Sequence, residues 1–175
     1  MPRRLVRLLS IAGCGLFFVA CGYQPYGAGA WLGGPSREIQ RLHLAVLTNN
    51  TFKPGLQGLV GAAIRRHLQQ DGRMRLTPPE VADAILAGSL TGYENEPIAF
   101  EQIDIGRRFR VRVRLAMRLA ERGGEKVLLM EEIVGEAFYT AGGGAVATRA
   151  AEEEATARAA QDLASRVVAR LMEGL

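Results

Sequence analysis

An α+β fold, two helices packed on one face of a four-stranded mixed sheet in the order βαβββα, is the architecture this sequence predicts. Three observations lead to it. From Arg108 to Leu119 the chain alternates strictly, with Phe109, Val111, Val113, Leu115, Met117 and Leu119 interleaved by Arg108, Arg110, Arg112, Arg114, Ala116 and Arg118. That is the period of a strand with one buried face and one basic face. Apolar residues also recur at helical spacing in two stretches, Leu56 to Leu68 and Ala160 to Leu171. The first of these stands between two strand-like runs joined by short links, the signature of a parallel crossover. Two helices on one face bury both apolar stripes and leave the basic sheet face open.

Taken in order, Ile39 to Leu47 reads as a first strand, with Leu42, Leu44 and Val46 on its apolar side. Asn49-Asn50-Thr51 is a turn, and Pro54 suits the start of a helix. The helix carries Leu56, Leu59, Val60, Ala63, Ile64 and Leu68 and stops at Gly72, a C-cap. Ala82 to Tyr93 is a small-residue strand, and Glu94 to Gly106, with Pro97, reads as a loop or hairpin tip. The arginine-rich strand follows and turns at Arg122-Gly123-Gly124-Glu125. Lys126 to Tyr139 returns as the fourth strand, bringing Glu131, Glu132 and Glu136 opposite the arginines. Gly142-Gly143-Gly144 is a joint, and Ala147 to Met172 is the closing helix. Its early glutamates (Glu152, Glu153, Glu154) and late arginines (Arg166, Arg170) complement a helix dipole.

The chain divides into residues 1–20, 21–36 and 37–175. The first segment has a basic start (Arg3, Arg4, Arg7) and then an apolar run from Leu8 to Ala20 too short to span a bilayer. Phe18-Val19-Ala20-Cys21-Gly22 resembles the lipobox of bacterial lipoproteins, in which the cysteine is lipidated and becomes the new N-terminus. Ile11-Ala12-Gly13-Cys14 is a second match, but it leaves a very short apolar stretch interrupted by Arg7, so Cys21 is the expected anchor. Residues 21–36, rich in Gly and Pro, then read as a tether, and residues 37–175 as one domain. Both cysteines lie at or before residue 21, so the domain has no disulfide and its stability must come from packing.

The formal charge of +4 over 175 residues includes three arginines of the signal, so the remainder is close to neutral. That gives no argument for nucleic acid as a partner. His43 and His67 sit in no metal-ligand spacing, and the glycine run lacks the pattern of a phosphate loop. No Gly-x-Ser-x-Gly elbow occurs. No enzyme activity, metal or cofactor is expected. The one constellation with binding chemistry is the basic strand face. Arg108, Arg110, Arg112, Arg114 and Arg118 place guanidinium groups about 7 Å apart along a strand. Planar forks at that density suit phosphates and carboxylates. Phosphorylated lipid headgroups are one candidate, and cross-strand pairing with Glu131, Glu132 and Glu136 is the structural alternative.

Several strings resemble the LptE family of lipopolysaccharide-assembly lipoproteins. They are Cys21-Gly22-Tyr23, Leu44-Ala45-Val46 followed by Asn49-Asn50-Thr51-Phe52-Lys53-Pro54-Gly55-Leu56, Asp71-Gly72-Arg73-Met74-Arg75-Leu76 and Ala82-Asp83-Ala84-Ile85-Leu86-Ala87-Gly88. Tyr93 with Pro97, and the closing stretch from Glu153 to Leu171, complete the likeness over nearly the whole mature chain. Leu47-Thr48 departs from the Phe-Glu type pair of many relatives. The resemblance implies a lipid-anchored outer-membrane protein that partners a β-barrel of LptD type and helps deliver lipopolysaccharide to the cell surface. Gly22 is not the aspartate that typically retains enteric lipoproteins at the inner membrane. Two other classes share parts of the pattern: a lipoprotein regulator of a peptidoglycan synthase or of curli-type secretion, and an auxiliary lipoprotein of a lipid-transport ABC system.

Overall fold

The computed structural model describes residues 39–99 and 107–173. Cys14, Cys21, the signal and the tether lie outside the described residues. Among these, the elements are β1 (Arg41–Leu44), β2 (Thr48–Asn49), α1 (Leu56–Asp71), β3 (Arg75–Leu76), β4 (Ala84–Ala99), β5 (Arg107–Glu121), β6 (Val127–Ala141) and α2 (Ala145–Glu173). The sheet runs β3-β1-β4-β5-β6, with β2 beside β4. β1 and β2 lie parallel to β4, which joins β5 and β6 in an antiparallel meander.

The α+β class and the two helices are as expected; the sheet is larger. It has six strands among the described residues instead of four. The run Ile39 to Leu47 breaks after Leu44, because four steps from Leu44 to Thr48 stand against three from Leu86 to Ser89 on β4. The extra residue turns Val46 outward, 85% exposed, and Leu47 takes the core position beside Gly88. Arg75 and Leu76 add a short parallel strand that a two-residue stretch could not announce. Glu94 to Ala99 extends β4, so the expected loop is strand for half its length.

Both helices lay apolar stripes on one face of the sheet. Leu56, Val60, Ile64 and Leu68 of α1 join Ala159, Leu163, Ala164, Val167 and Leu171 of α2 in one core with Leu86, Leu90, Val113, Leu115 and Met117. Gly72 ends α1 in the left-handed region (φ 76°), its N–H donating to the Leu68 carbonyl at 3.1 Å. α2 begins at Ala145, two turns before Glu152. The three glutamates therefore do not sit in its first turn, and the expected dipole match holds only at Arg170.

α2 approaches β6 most closely at Gly135. A Cβ there would lie 2.4 Å from both the Ala159 carbonyl oxygen and the Leu163 Cβ, so only glycine lets the helix rest on the strand. Gly135→Val is expected to destabilise the fold by about 3 kcal/mol through this overpacking. Exposed Gly58 in α1, with open space around its Cβ position, gives the opposite case: Gly58→Ala is expected to raise stability by about 0.5–1 kcal/mol. Urea unfolding of both variants checks the pair.

Candidate functional site: the arginine ladder on the outer sheet face

β5 places Arg108, Arg110, Arg112, Arg114 and Arg118 on the sheet face opposite the helices, because Val111, Val113, Leu115, Met117 and Leu119 fill the core from the other side. The sequence brings all five together as expected. Their partners are not the expected ones. Glu96 accepts from Nη2 of Arg110 at 2.6 Å and from Nη2 of Arg112 at 2.9 Å. Glu94 lies 3.4 Å from Nη1 of Arg112 and accepts from Nη2 of Arg114. Three guanidinium groups are thus threaded onto two carboxylates of β4. Arg110 foremost, by hydrogen bond and charge, holds the Glu96 carboxyl below its ordinary range.

The β6 glutamates do not join the ladder. Glu131 falls opposite Met117 on the helix side and pairs with Arg170 of α2 at 2.6 Å. Glu132 accepts from the Thr91 hydroxyl at 3.1 Å. Glu136 stands opposite Arg112, yet no ion pair joins them, and its backbone N–H donates to Asp162 at 2.9 Å. The cause lies in β4. Its register slips between Leu90, opposite Leu115, and Gly92, opposite Arg114. This one-residue bulge moves Glu94 and Glu96 from the core side to the arginine side. Glycine at 92 also leaves room for the Arg114 side chain, whose Nε lies 2.6 Å from where a Cβ would stand. The signal was present in the sequence: apolar residues change from even positions (Leu86, Leu90) to an odd one (Tyr93) across the slip.

Two arginines stand outside the ladder. Arg108 lies over the Phe138 ring at 5.1 Å, and Arg118 donates to the Gly124 carbonyl at 2.9 Å. Past Arg114 the face falls away into a depression of about 570 Å³ over Ala87, Ser89 and Ala116, flanked by Arg118, Met130 and Glu132. Met130 is 74% exposed.

The same slip turns Tyr93 into the core, where it meets a second polar cluster. Its hydroxyl donates to Glu152 at 3.1 Å and lies 3.0 Å from the Thr156 hydroxyl. Lys53 completes the group, 2.9 Å from Glu152 and 5.2 Å from the Tyr93 ring centre. Desolvation raises the Tyr93 phenol above its ordinary value, and the Lys53 hydrogen bond lowers the Glu152 carboxyl below its own. This group ties the loop before α1, the middle of β4 and the third turn of α2. Among the described residues no cluster of His, Cys, Asp or Glu is arranged to hold a metal ion, and no helix is long and apolar enough to cross a membrane.

The profile of the family described as "LptE: Lipopolysaccharide-assembly" matches residues 39–171, which covers every element above except the last two residues of α2. This chain belongs to the LptE family. LptE proteins are non-enzymatic lipoproteins of lipopolysaccharide assembly. Solved structures of the same fold include a Xanthomonas campestris protein, XCC0632 (11% identity, TM-score 0.55, covering 81% of this chain and 90% of that one). A minor lipoprotein from Acinetobacter baumannii is similar at 13% identity and TM-score 0.52 (76% and 92% covered). The rare lipoprotein B of Shewanella oneidensis is similar at 12% identity and TM-score 0.52 (75% and 94% covered). None of the curated proteins compared with the chain matches it.

The lowered Glu152 value fixes a pH dependence. Its contribution is complete above the ordinary value of 4.5 and is lost as pH falls through the lower native value. Glu152→Gln is expected to lower stability at neutral pH by about 1–2 kcal/mol and to flatten the stability profile below pH 4.5. Thermal melts from pH 3 to pH 7 measure both.

Proposed function

We propose that this chain is a non-catalytic lipoprotein of the outer membrane, anchored through Cys21 on the periplasmic side, that assists lipopolysaccharide assembly as the partner of a β-barrel of LptD type. The observation that supports this reading is the LptE profile match across residues 39–171. In this reading residues 1–20 direct export, residues 21–36 tether the domain and residues 37–175 do the work. Several acyl chains, each methylene worth about 0.8 kcal/mol when buried, would hold the protein at the membrane essentially for good. The arginine face of Arg108, Arg110, Arg112, Arg114 and Arg118 is the proposed contact for lipopolysaccharide, whose phosphates suit guanidinium forks.

Depleting the protein is expected to remove lipopolysaccharide from the cell surface while it accumulates inside the envelope. Cys21→Ala is expected to leave the protein out of the membrane fraction and fail to restore the surface. The triple change Arg110→Gln, Arg112→Gln, Arg114→Gln is expected to weaken lipopolysaccharide binding with a reduced dependence on salt. Normal surface lipopolysaccharide after depletion would contradict the assembly role.

A further inference from the structure

The arginine ladder has more donor capacity than its carboxylates use. Three guanidinium groups meet two glutamates, so one positive charge is left without a counterpart inside the ladder. Each arginine is held through its outer nitrogens, and the Nε atoms of Arg110 and Arg112, shielded from solvent, have no acceptor. An arginine–carboxylate pair at its best uses the fork, two parallel N–H groups on two oxygens. Here Glu96 stretches one oxygen, Oε1, across two arginines. These side chains remain partly open, at 29% exposure for Arg110, 28% for Arg112 and 45% for Glu96. Such pairs contribute little to stability and exchange partners readily.

Beyond Arg114 the same face becomes concave and largely apolar over Ala87, Ser89 and Ala116, with Met130 exposed beside it and Arg118, Glu131 and Glu132 also lining it. A cationic row followed by an apolar depression is complementary to one kind of ligand, an anionic amphiphile with its head on the arginines and its hydrocarbon on the small residues. A phosphomonoester offers more acceptor oxygens and more negative charge than a carboxylate.

We propose that Glu94 and Glu96 are built-in competitors that keep the arginine ladder closed until the phosphomonoester of a lipid headgroup displaces them, with the acyl part seated over Ala87, Ser89 and Ala116. This rests on the lipopolysaccharide contact proposed above and adds its regulation. The glutamates hold the arginines extended and pre-arranged, and they raise the threshold for release to a ligand of higher charge. A lipid diester or a free carboxylate, weaker in charge, does not open the ladder.

The test is calorimetric titration of the full chain, purified in detergent, with short-chain phosphatidic acid. Short-chain phosphatidylglycerol and inorganic phosphate serve as parallel probes. Glu94→Gln with Glu96→Gln is expected to tighten phosphatidic acid binding roughly ten-fold, the worth of about 1.4 kcal/mol, and to let phosphatidylglycerol bind. Adding Arg110→Gln and Arg112→Gln is expected to abolish the gain. Glu96→Gln alone, which frees Arg110 and leaves Arg112 only its contact with Glu94, is expected to give part of it and stands in if the double variant does not melt cooperatively. Affinity unchanged or weakened in folded glutamine variants overturns the proposal, as does a gain for inorganic phosphate without one for the lipid. If those variants bind no tighter but still restore surface lipopolysaccharide to depleted cells, the competitor role falls and the assembly role stands. If they bind tighter while depletion leaves the surface unchanged, the assembly role falls instead.

Discussion

A single extra residue in β4 decides what both faces of the sheet do. Before the slip at Leu90 and Gly92, even-numbered residues of β4 face the helices; after it, odd-numbered ones do. Without that slip, Tyr93 would point to solvent, and Glu94 and Glu96 would bring two carboxylates into an apolar core, at a cost of several kcal/mol each. With it, Tyr93 reaches Glu152 and Thr156 of α2, and the two glutamates meet Arg110, Arg112 and Arg114. Bulges commonly re-aim side chains near functional surfaces. Here one bulge places a buried anchor on one side and an ionic ladder on the other.

The ladder changes the meaning of the basic strand. A face of five arginines suggests a strong positive field, but three of them are neutralised in large part by β4. Long-range attraction for anions is accordingly modest and short-range donor geometry matters more. The LptE membership shown by the family profile gives that geometry a setting, lipopolysaccharide assembly. The solved structures of similar shape are so distant in sequence, at 11–13% identity, that they speak for the fold alone.

Much of the fold was legible because long periodic stretches dominate it. The alternation from Arg108 to Leu119 set the buried and exposed faces of β5 correctly, and Gly72 marked the end of α1. What failed was parity across irregular joints. Val46 looked apolar and inward, yet the extra residue between Leu44 and Thr48 turned it out. Glu131, Glu132 and Glu136 stand on the strand that returns after the hairpin turn and so read as the arginines' partners, while Pro97 makes Glu94 and Glu96 read as loop. A proline late in a long strand is tolerated at such an irregular end, where the register slips again between Pro97 and Ala99. Glu152 reads as a dipole partner because three glutamates cluster in the first half of the helix, and its contacts with Lys53 and Tyr93 join residues far apart in sequence. Periodicity reports which face a residue is on only until the first bulge.

The most direct test of the account is gentle detergent extraction of the tagged protein followed by mass spectrometry of what stays bound. The account predicts a large outer-membrane β-barrel recovered in equal amount. Recovery of a peptidoglycan synthase or an inner-membrane ATPase complex, with no barrel, would contradict it.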